Sequence, residues 1–263
     1  MSVFTLSQKL LFSLDAESAH VVTVRALRHF PRINSALIGQ RLDCPAEVMG
    51  LSFANPIGVA AGLDKNGECI AGLFGLGFGF VEVGTTTPRA QPGNPKPRVF
   101  RLEEDQAIIN RLGFNNRGVS YLCRQVARAR RCGHVSGPLG INIGKNAATP
   151  MERAVDDYLY CLERVYPLAD YITVNISSPN TQNLRDLQSP EALERFVGRI
   201  VERGAQLGGR HGRRPIALKI SPDNTPDQLV AMARILRESG IDAVIATNTT
   251  VSRPPLIDSR QAS

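Results

Sequence analysis

The strongest constraint on the fold is the regular alternation, from residue 57 onward, of short apolar segments with longer segments of helical periodicity. Such alternation is typical of βα units, in which successive strands are parallel and a helix connects each pair. We predict strands near residues 57–61, 79–84, 139–143, 170–175, 215–220 and 242–247. We predict helices between them near residues 67–75, 116–131, 150–166, 190–207 and 225–239.

These six βα steps predict an α/β fold, an incomplete (β/α)8 TIM barrel with about six of its eight units. The 263 residues, 43% of them hydrophobic, suffice for one large domain. Pro150, Pro190 and Pro226 each stand where a helix would begin. The Pro- and Arg-rich segment 85–115 interrupts the alternation, and we expect it to cover the active site. Because no pattern for two further strands follows, the sheet is either an unclosed barrel or another parallel fold.

Residues 1–40 differ from the rest and predict a helical extension to a barrel domain spanning residues 41–263. Their apolar residues recur at helical spacing and indicate two short amphipathic helices. Asp15 and Ser18 fit a turn with helix-capping residues between the two. Two roles stay open at this stage. The helices could cover the bottom of the barrel, or they could lie on a membrane and gate an apolar tunnel.

Composition argues against several classes of protein. The net charge of +7 is scattered along the chain, so we expect no nucleic-acid partner. The five cysteines are odd in number and lack a C-x-x-C pair, which favours reduced thiols in a cytoplasmic compartment. The four histidines lack the spacing of metal ligands, so we expect no metal site. No apolar run reaches the length of a bilayer span, and the start lacks a signal-peptide pattern.

The predicted strand ends carry amides, hydroxyls and two lysines, Lys65 and Lys219. Residues 175–181 (NISSPNT) are the most informative, because ligands of parallel α/β folds bind at the carboxyl ends of strands. Alone, this segment also fits an ordinary turn, and either lysine could simply pair with a neighbouring carboxylate. Together, these side chains suit a neutral heteroaromatic ring, with the lysines stabilising extra negative charge or binding a carboxylate.

Several motifs, in order and in register from residue 4 to about 253, resemble those of the dihydroorotate dehydrogenases. The resemblance is to the class 2 branch, which is membrane-associated and uses a quinone. The motifs are residues 55–67 (NPIGVAAGLDKNG), 84–89 (GTTTPR), 94–101 (NPKPRVFR), 110–115 (NRLGFN), 140–146 (GINIGKN), the loop with Ser178, and 246–250 (ATNTT).

The resemblance implies an FMN prosthetic group and an orotate site. The implied FMN contacts are Ala61, Gly62, Leu63, Asp64, Lys65, Thr85, Asn142, Asn175, Lys219 and Thr247. The implied substrate contacts are Lys65, Asn110, Arg111, Leu112, Gly113, Phe114, Asn175, Asn180, Asn248 and Thr249. The implied reaction is oxidation of (S)-dihydroorotate to orotate in de novo pyrimidine (UMP) biosynthesis, with a quinone as electron acceptor.

The same resemblance assigns the catalytic base to Ser178, where class 1 relatives carry a cysteine. It implies a proton path past Thr181 and Phe114, and a quinone passage lined by His20 and Arg101. It further implies a monomer in peripheral contact, through its N-terminal helices, with the cytoplasmic face of a bacterial membrane.

The resemblance breaks at the end of the chain. The family continues for about two βα units, whose loops surround the FMN phosphate, and no such pattern follows here. We therefore keep the alternative of a catalytically dead, truncated or frameshifted remnant that does not hold FMN. Another FMN barrel, such as a dihydropyrimidine dehydrogenase domain, is a weaker alternative, because it would lack the amphipathic N-terminus and the serine base.

Overall fold

The computed structural model describes residues 3–31 and 42–253. A curled sheet of six parallel strands forms its centre, in the order β10-β9-β8-β7-β4-β3. The elements are α1 (Val3–Phe12), α2 (Ala16–His29), β1 (Ala46–Val48), β2 (Leu51–Phe53), β3 (Gly58–Val59), α3 (Ile70–Gly75), β4 (Phe80–Thr86), β5 (Val99–Leu102), β6 (Ala107–Asn110), α4 (Val119–Arg131), β7 (Leu139–Ile143), α5 (Ala154–Val165), β8 (Tyr171–Asn175), α6 (Pro190–His211), β9 (Ile216–Lys219), α7 (Pro226–Ser239) and β10 (Ala243–Ile245).

The strands β4, β7, β8 and β9 are buried on both faces of the sheet, and their side chains alternate between these faces. Val81 and Val83 of β4 point to the side covered by the helices and join the hydrophobic core. Glu82, between them, points to the concave interior together with Thr173 and Ala217 of the neighbouring strands. Polar side chains therefore collect inside the curled sheet, where a ligand site can be built.

The helices begin where the sequence predicts. Pro190 and Pro226 occupy the first turns of α6 and α7, and Thr225 caps α7 through a capping box with Gln228. Pro150 is the exception, because it precedes a short 3-10 segment, Met151–Arg153, that leads into α5. The six predicted parallel strands and the five helices between them are confirmed.

Two antiparallel hairpins are absent from the prediction. β5 and β6 pair within the segment 85–115, for which the sequence predicts no strand. β1 pairs with β2, and Phe53 of β2 packs edge-on against Phe80 at the start of β4, with ring centroids 5.4 Å apart. Because Phe80 begins its strand, the β1–β2 hairpin lies at the bottom of the sheet.

The predicted N-terminal helices are confirmed as α1 and α2, with Asp15 capping α2. They lie at the end of the sheet where the strands finish. The ring of His20 hydrogen-bonds the carbonyl of Leu63, just after β3, at 2.7 Å, and Arg101 of β5 donates to the carbonyl of Leu14 at 2.8 Å. The alternative that places these helices at the bottom of the barrel is therefore wrong, since the β1–β2 hairpin lies there.

Close packing and an ion pair fix α2 against the barrel. Leu27 is buried in the main core, and a Cβ added to Gly72 of α3 would lie 2.3 Å from the Leu27 carbonyl oxygen. Glu17 pairs with the buried Arg98 at 2.7 Å, and Arg98 also donates to the carbonyl of Pro92. The domain boundary predicted near residue 40 falls in residues 32–41, outside the described residues, and stays a prediction. Among the described helices, none has the length and apolar character needed to cross a membrane.

Candidate functional site

A cleft of about 390 Å³ opens at the carboxyl ends of the parallel strands, within the usual size of a small-molecule site. Residues of β4 and β9 contribute to it, as do the loops after β3, β8 and β10 and the segment that begins at the end of β6. Its lining consists of Ala60, Ala61, Gly62, Lys65, Thr85, Asn110, Leu112, Gly113, Phe114, Asn175, Ser178, Asn180, Lys219, Thr247, Asn248 and Thr249. Most of the predicted cofactor and substrate residues are thus in one place.

Ser178 lies in the loop after β8, with 4% of its surface exposed. Its Oγ accepts a hydrogen bond from the N–H of Asn180 at 3.2 Å, which orients the hydroxyl at the wall of the cleft. The preceding turn is held by Asn175, whose Oδ1 accepts the hydroxyl of Ser177 at 2.8 Å. The loop is an Asn/Ser turn, as its sequence suggests, and it also delivers a nucleophilic oxygen to the cleft.

Lys65 reaches the cleft from the loop after β3, and its Nζ donates to the carbonyl of Gly62 at 2.6 Å. Burial, assisted by the guanidinium of Arg98, lowers the pKa of Lys65 to about 8. Within the described part of the chain, neither Lys65 nor Lys219 forms an ion pair with a carboxylate. Among the residues that the structure describes, these lysines are therefore not salt-bridge partners.

The sequence model of the family described as "Dihydroorotate dehydrogenase" matches residues 44–263. The chain belongs to the dihydroorotate dehydrogenase family. Relatives named "Dihydroorotate dehydrogenase (quinone)" are 54% identical in Azotobacter vinelandii and 55% identical in Xanthomonas oryzae pv. oryzae. The match covers 95% and 96% of this chain, respectively, and 72% of each relative.

Solved structures of the family share the fold. The DHODH from Eimeria tenella in complex with ferulenol superposes with a TM-score of 0.82 at 36% identity, covering 94% of this chain and 69% of that one. The ligand-free form from the same organism gives the same score, covering 91% of this chain and 70% of that one. The expectation of a TIM-barrel relative with N-terminal helices is confirmed.

Three predicted cofactor contacts of this family member do not line the cleft, and two of them lie in the loop after β3. The buried carboxylate of Asp64 accepts hydrogen bonds from the N–H groups of Asn66, Glu68 and Cys69. It therefore stabilises the loop that precedes α3 and does not face the cleft. Leu63 presents its carbonyl to His20 and packs against the core. Both follow the end of β3 in the sequence, and the turn of the loop points them elsewhere.

Other predicted residues of the dehydrogenase lie around the cleft without lining it. Asn142 is fully buried behind Thr85, and Thr181 is buried beside the serine loop. Arg111 lines an adjoining cavity of about 250 Å³ and donates to the carbonyl of Pro97 at 3.2 Å. His20 and Arg101 lie where the N-terminal helices meet the barrel. Phe114 does line the cleft, with a φ of 52° that is unusual for an aromatic residue.

Sequence reasoning missed two residues near the site. Ala60 lines the cleft, and Glu82 lies buried beneath it. A single carboxylate inside the apolar strand Phe80–Thr86 was a usable signal for Glu82, because such a group is buried only when it has partners. No cluster of residues suited to a metal ion occurs in residues 3–31 and 42–253.

Proposed function

We propose that this chain is a quinone-dependent dihydroorotate dehydrogenase that oxidises (S)-dihydroorotate to orotate, a step of de novo pyrimidine (UMP) synthesis, with FMN as its prosthetic group. The observation that carries the proposal is the cleft itself. It gathers Ser178, both lysines and the amides expected for this chemistry in a protein whose relatives are named for it.

The residues present fit FMN. Gly62 has a φ of 117° and open space where a Cβ would be, so the backbone offers a flat surface to an aromatic ring. Lys65 and Lys219 supply donors at the wall beside Asn175, as a ring with several carbonyl and nitrogen acceptors requires. When bound, FMN supplies the hydride acceptor and the means of passing electrons to a quinone.

Ser178 is the proposed base for the substrate proton at C5, which is acidified by the neighbouring carbonyl. A free alcohol is a weak base, so the hydroxyl must pass a proton onward as it accepts one. Thr181 is buried three residues further along, and Phe114 lines the cleft. We infer that the proton leaves past these two residues.

The amides at the mouth of the cleft orient the substrate ring without adding charge. Asn248 is itself fixed, because its Nδ2 donates to the hydroxyl of Ser177 at 3.0 Å and its Oδ1 accepts the N–H of Thr249 at 2.7 Å. Asn110 and Asn180 line the cleft as well. These groups leave C5 facing the serine loop in the proposed complex.

The pKa of about 8 for Lys65 predicts a pH dependence of orotate binding. The orotate carboxylate favours protonated lysine, so binding above pH 8 must take up a proton. The dissociation constant should then rise about tenfold per pH unit above 8. Lys65→Arg should bind with a flatter profile, because a guanidinium keeps its proton. Calorimetric titrations from pH 7 to 9.5 measure this, and a flat profile in the unsubstituted protein would contradict the assignment of Lys65.

The N-terminal helices are the proposed contact with the membrane. His20 and Arg101 lie at their junction with the barrel, near the loop that carries Lys65, and would line the passage for the quinone. The helices leave several large apolar side chains exposed, which a bilayer surface would cover. These are Leu10, Phe12, Leu14, Val21, Val22 and Phe30. The proposed place of the protein is the cytoplasmic face of a bacterial membrane, as a monomer.

The visible absorbance spectrum of the purified chain tests the proposal. After incubation with FMN and gel filtration, we expect flavin absorbance to remain with the protein, and to bleach on anaerobic addition of dihydroorotate. Anionic vesicles containing a quinone should then sediment the protein and restore the flavin colour. Protein that elutes free of flavin would contradict the cofactor proposal for this chain, and bound flavin that does not bleach would contradict the substrate.

A further inference from the structure

Glu82 is a buried carboxylate that the proposed reaction does not use. It lies in the middle of β4 with 4% of its surface exposed, on the interior face of the sheet. It forms no ion pair in the part of the chain that the structure describes. Burying an unpaired charge is costly, so a carboxylate in such a place must be compensated by hydrogen bonds.

Two short hydrogen bonds provide that compensation. Oε1 of Glu82 accepts from Nδ2 of Asn142 at 2.8 Å, and Oε2 accepts from the hydroxyl of Thr173 at 2.8 Å. An ionised carboxylate only accepts hydrogen bonds, whereas an asparagine side chain carries a donor end and an acceptor end. Glu82 therefore determines which end of the Asn142 amide faces it.

The other end of that amide faces the cleft wall. Oδ1 of Asn142 accepts from the hydroxyl of Thr85 at 2.6 Å and from Nδ2 of Asn175 at 3.3 Å. Nδ2 of Asn175 also donates to the hydroxyl of Thr85 at 3.1 Å. Thr85 and Asn175 both line the cleft, so a continuous chain of hydrogen bonds connects the Glu82 carboxylate with two residues of the cleft wall.

We propose that Glu82 is a positioning residue, which fixes the amide orientation of Asn142 and thereby holds Thr85 and Asn175 in the arrangement that binds the flavin. Its effect on the flavin rests on the proposed function, whereas its effect on Asn142 does not. If the Asn142 amide turned over, its Oδ1 would face the Glu82 carboxylate and its Nδ2 would face the Asn175 Nδ2 and the donor hydrogen of Thr85, so all three hydrogen bonds of the Asn142 side chain would be lost.

Two substitutions of Glu82 distinguish the effect of its charge from its effect on the orientation of the Asn142 amide. Glu82→Gln removes the charge but keeps an oxygen that accepts from Asn142, while its amide donates to the Thr173 hydroxyl. Glu82→Met has similar length and no comparable acceptor. We expect Glu82→Gln to bind FMN within about threefold of the unsubstituted chain, and Glu82→Met to bind it at least about tenfold more weakly. In an Asn142→Ala background, Glu82→Met should weaken FMN binding by less than about a further twofold.

A merely structural role is tested with Leu207→Ala, which opens a cavity near the end of α6 at a residue that does not line the cleft. This control should lower the thermal midpoint, as Glu82→Met does, without weakening FMN binding. An equal loss of affinity in the control, or a loss in Glu82→Gln as large as in Glu82→Met, would overturn the proposal.

A measurement without flavin distinguishes a failure of the Glu82 proposal from a failure of the cofactor proposal. In the protein alone, the side-chain amide resonances of Asn142, assigned by their loss in Asn142→Asp, should exchange slowly with solvent. Exchange should stay slow in Glu82→Gln and become at least about tenfold faster in Glu82→Met. Unchanged exchange in Glu82→Met would overturn the proposal for Glu82. A chain that holds no FMN would defeat the cofactor proposal, and the amide exchange would still decide the role of Glu82.

Discussion

Ser178→Ala is expected to slow the reduction of bound flavin by dihydroorotate by a factor of about 10²–10⁴, the usual contribution of a positioned base. The flavin itself should remain bound, because the Ser178 side chain makes one hydrogen bond within residues 3–31 and 42–253, with the N–H of Asn180, and the lysines and Asn175 stay in place. Stopped-flow absorbance under anaerobic conditions measures the rate, and the oxidised spectrum reports binding.

Ser221 offers a matched control for this substitution. It is buried in the loop after β9, and its Oγ accepts the N–H of Asp223 at 3.1 Å, the same local bond that Ser178 makes with Asn180. Ser221 does not line the cleft. In the Ser221→Ala variant, dihydroorotate should therefore reduce the flavin at the same rate as in the unsubstituted protein. If Ser178→Ala also kept that rate, the base would have to be sought elsewhere in the cleft.

Asp64→Ala is expected to lower the free energy of unfolding by about 3 kcal/mol, because it leaves buried N–H groups without an acceptor. The carboxylate now accepts the N–H groups of Glu68 and Cys69 at 2.8 Å each and of Asn66 at 3.3 Å. The loop it holds carries Lys65, so flavin binding should weaken as well. Urea unfolding followed by circular dichroism gives the free energy.

Two further substitutions set the scale for that result. Asp64→Asn keeps one acceptor oxygen and should cost less than the alanine variant. Asp156→Ala removes an exposed carboxylate that pairs with Arg153, and such surface pairs contribute little, so its effect should stay within about 0.5 kcal/mol. An Asp64→Ala variant as stable as Asp156→Ala would show that the loop does not depend on its carboxylate.

The alternation of apolar and helical segments was enough to predict the order of the parallel strands and the helices between them. Local patterns carry that information, since each strand and helix has its own periodicity. The β5–β6 hairpin escaped because Val99–Leu102 and Ala107–Asn110 are short and stand in a segment rich in proline and arginine. Its pairing brings Arg98 against Glu17, 81 positions away, and no local pattern encodes such a contact.

The candidate site was predictable to the extent that strand ends meet at one edge of the sheet. That rule brings Lys65, Asn175 and Lys219 together from distant parts of the chain. It does not say which way each side chain turns, and so it included Asp64, whose carboxylate faces its own loop. It also excluded Glu82, because a residue in the middle of a strand is not at the edge.

The close contact between Gly72 and Leu27 affects how the proposed enzyme would bind a quinone dissolved in the membrane. With only 2.3 Å between the position of a Cβ at residue 72 and the Leu27 carbonyl oxygen, even one methyl group would push α2 outward. The same helix carries His20, which contacts Leu63 in the loop after β3. In the proposed enzyme, the distance from the flavin to a quinone beside α2 would therefore depend in part on Gly72, a residue that has no side chain.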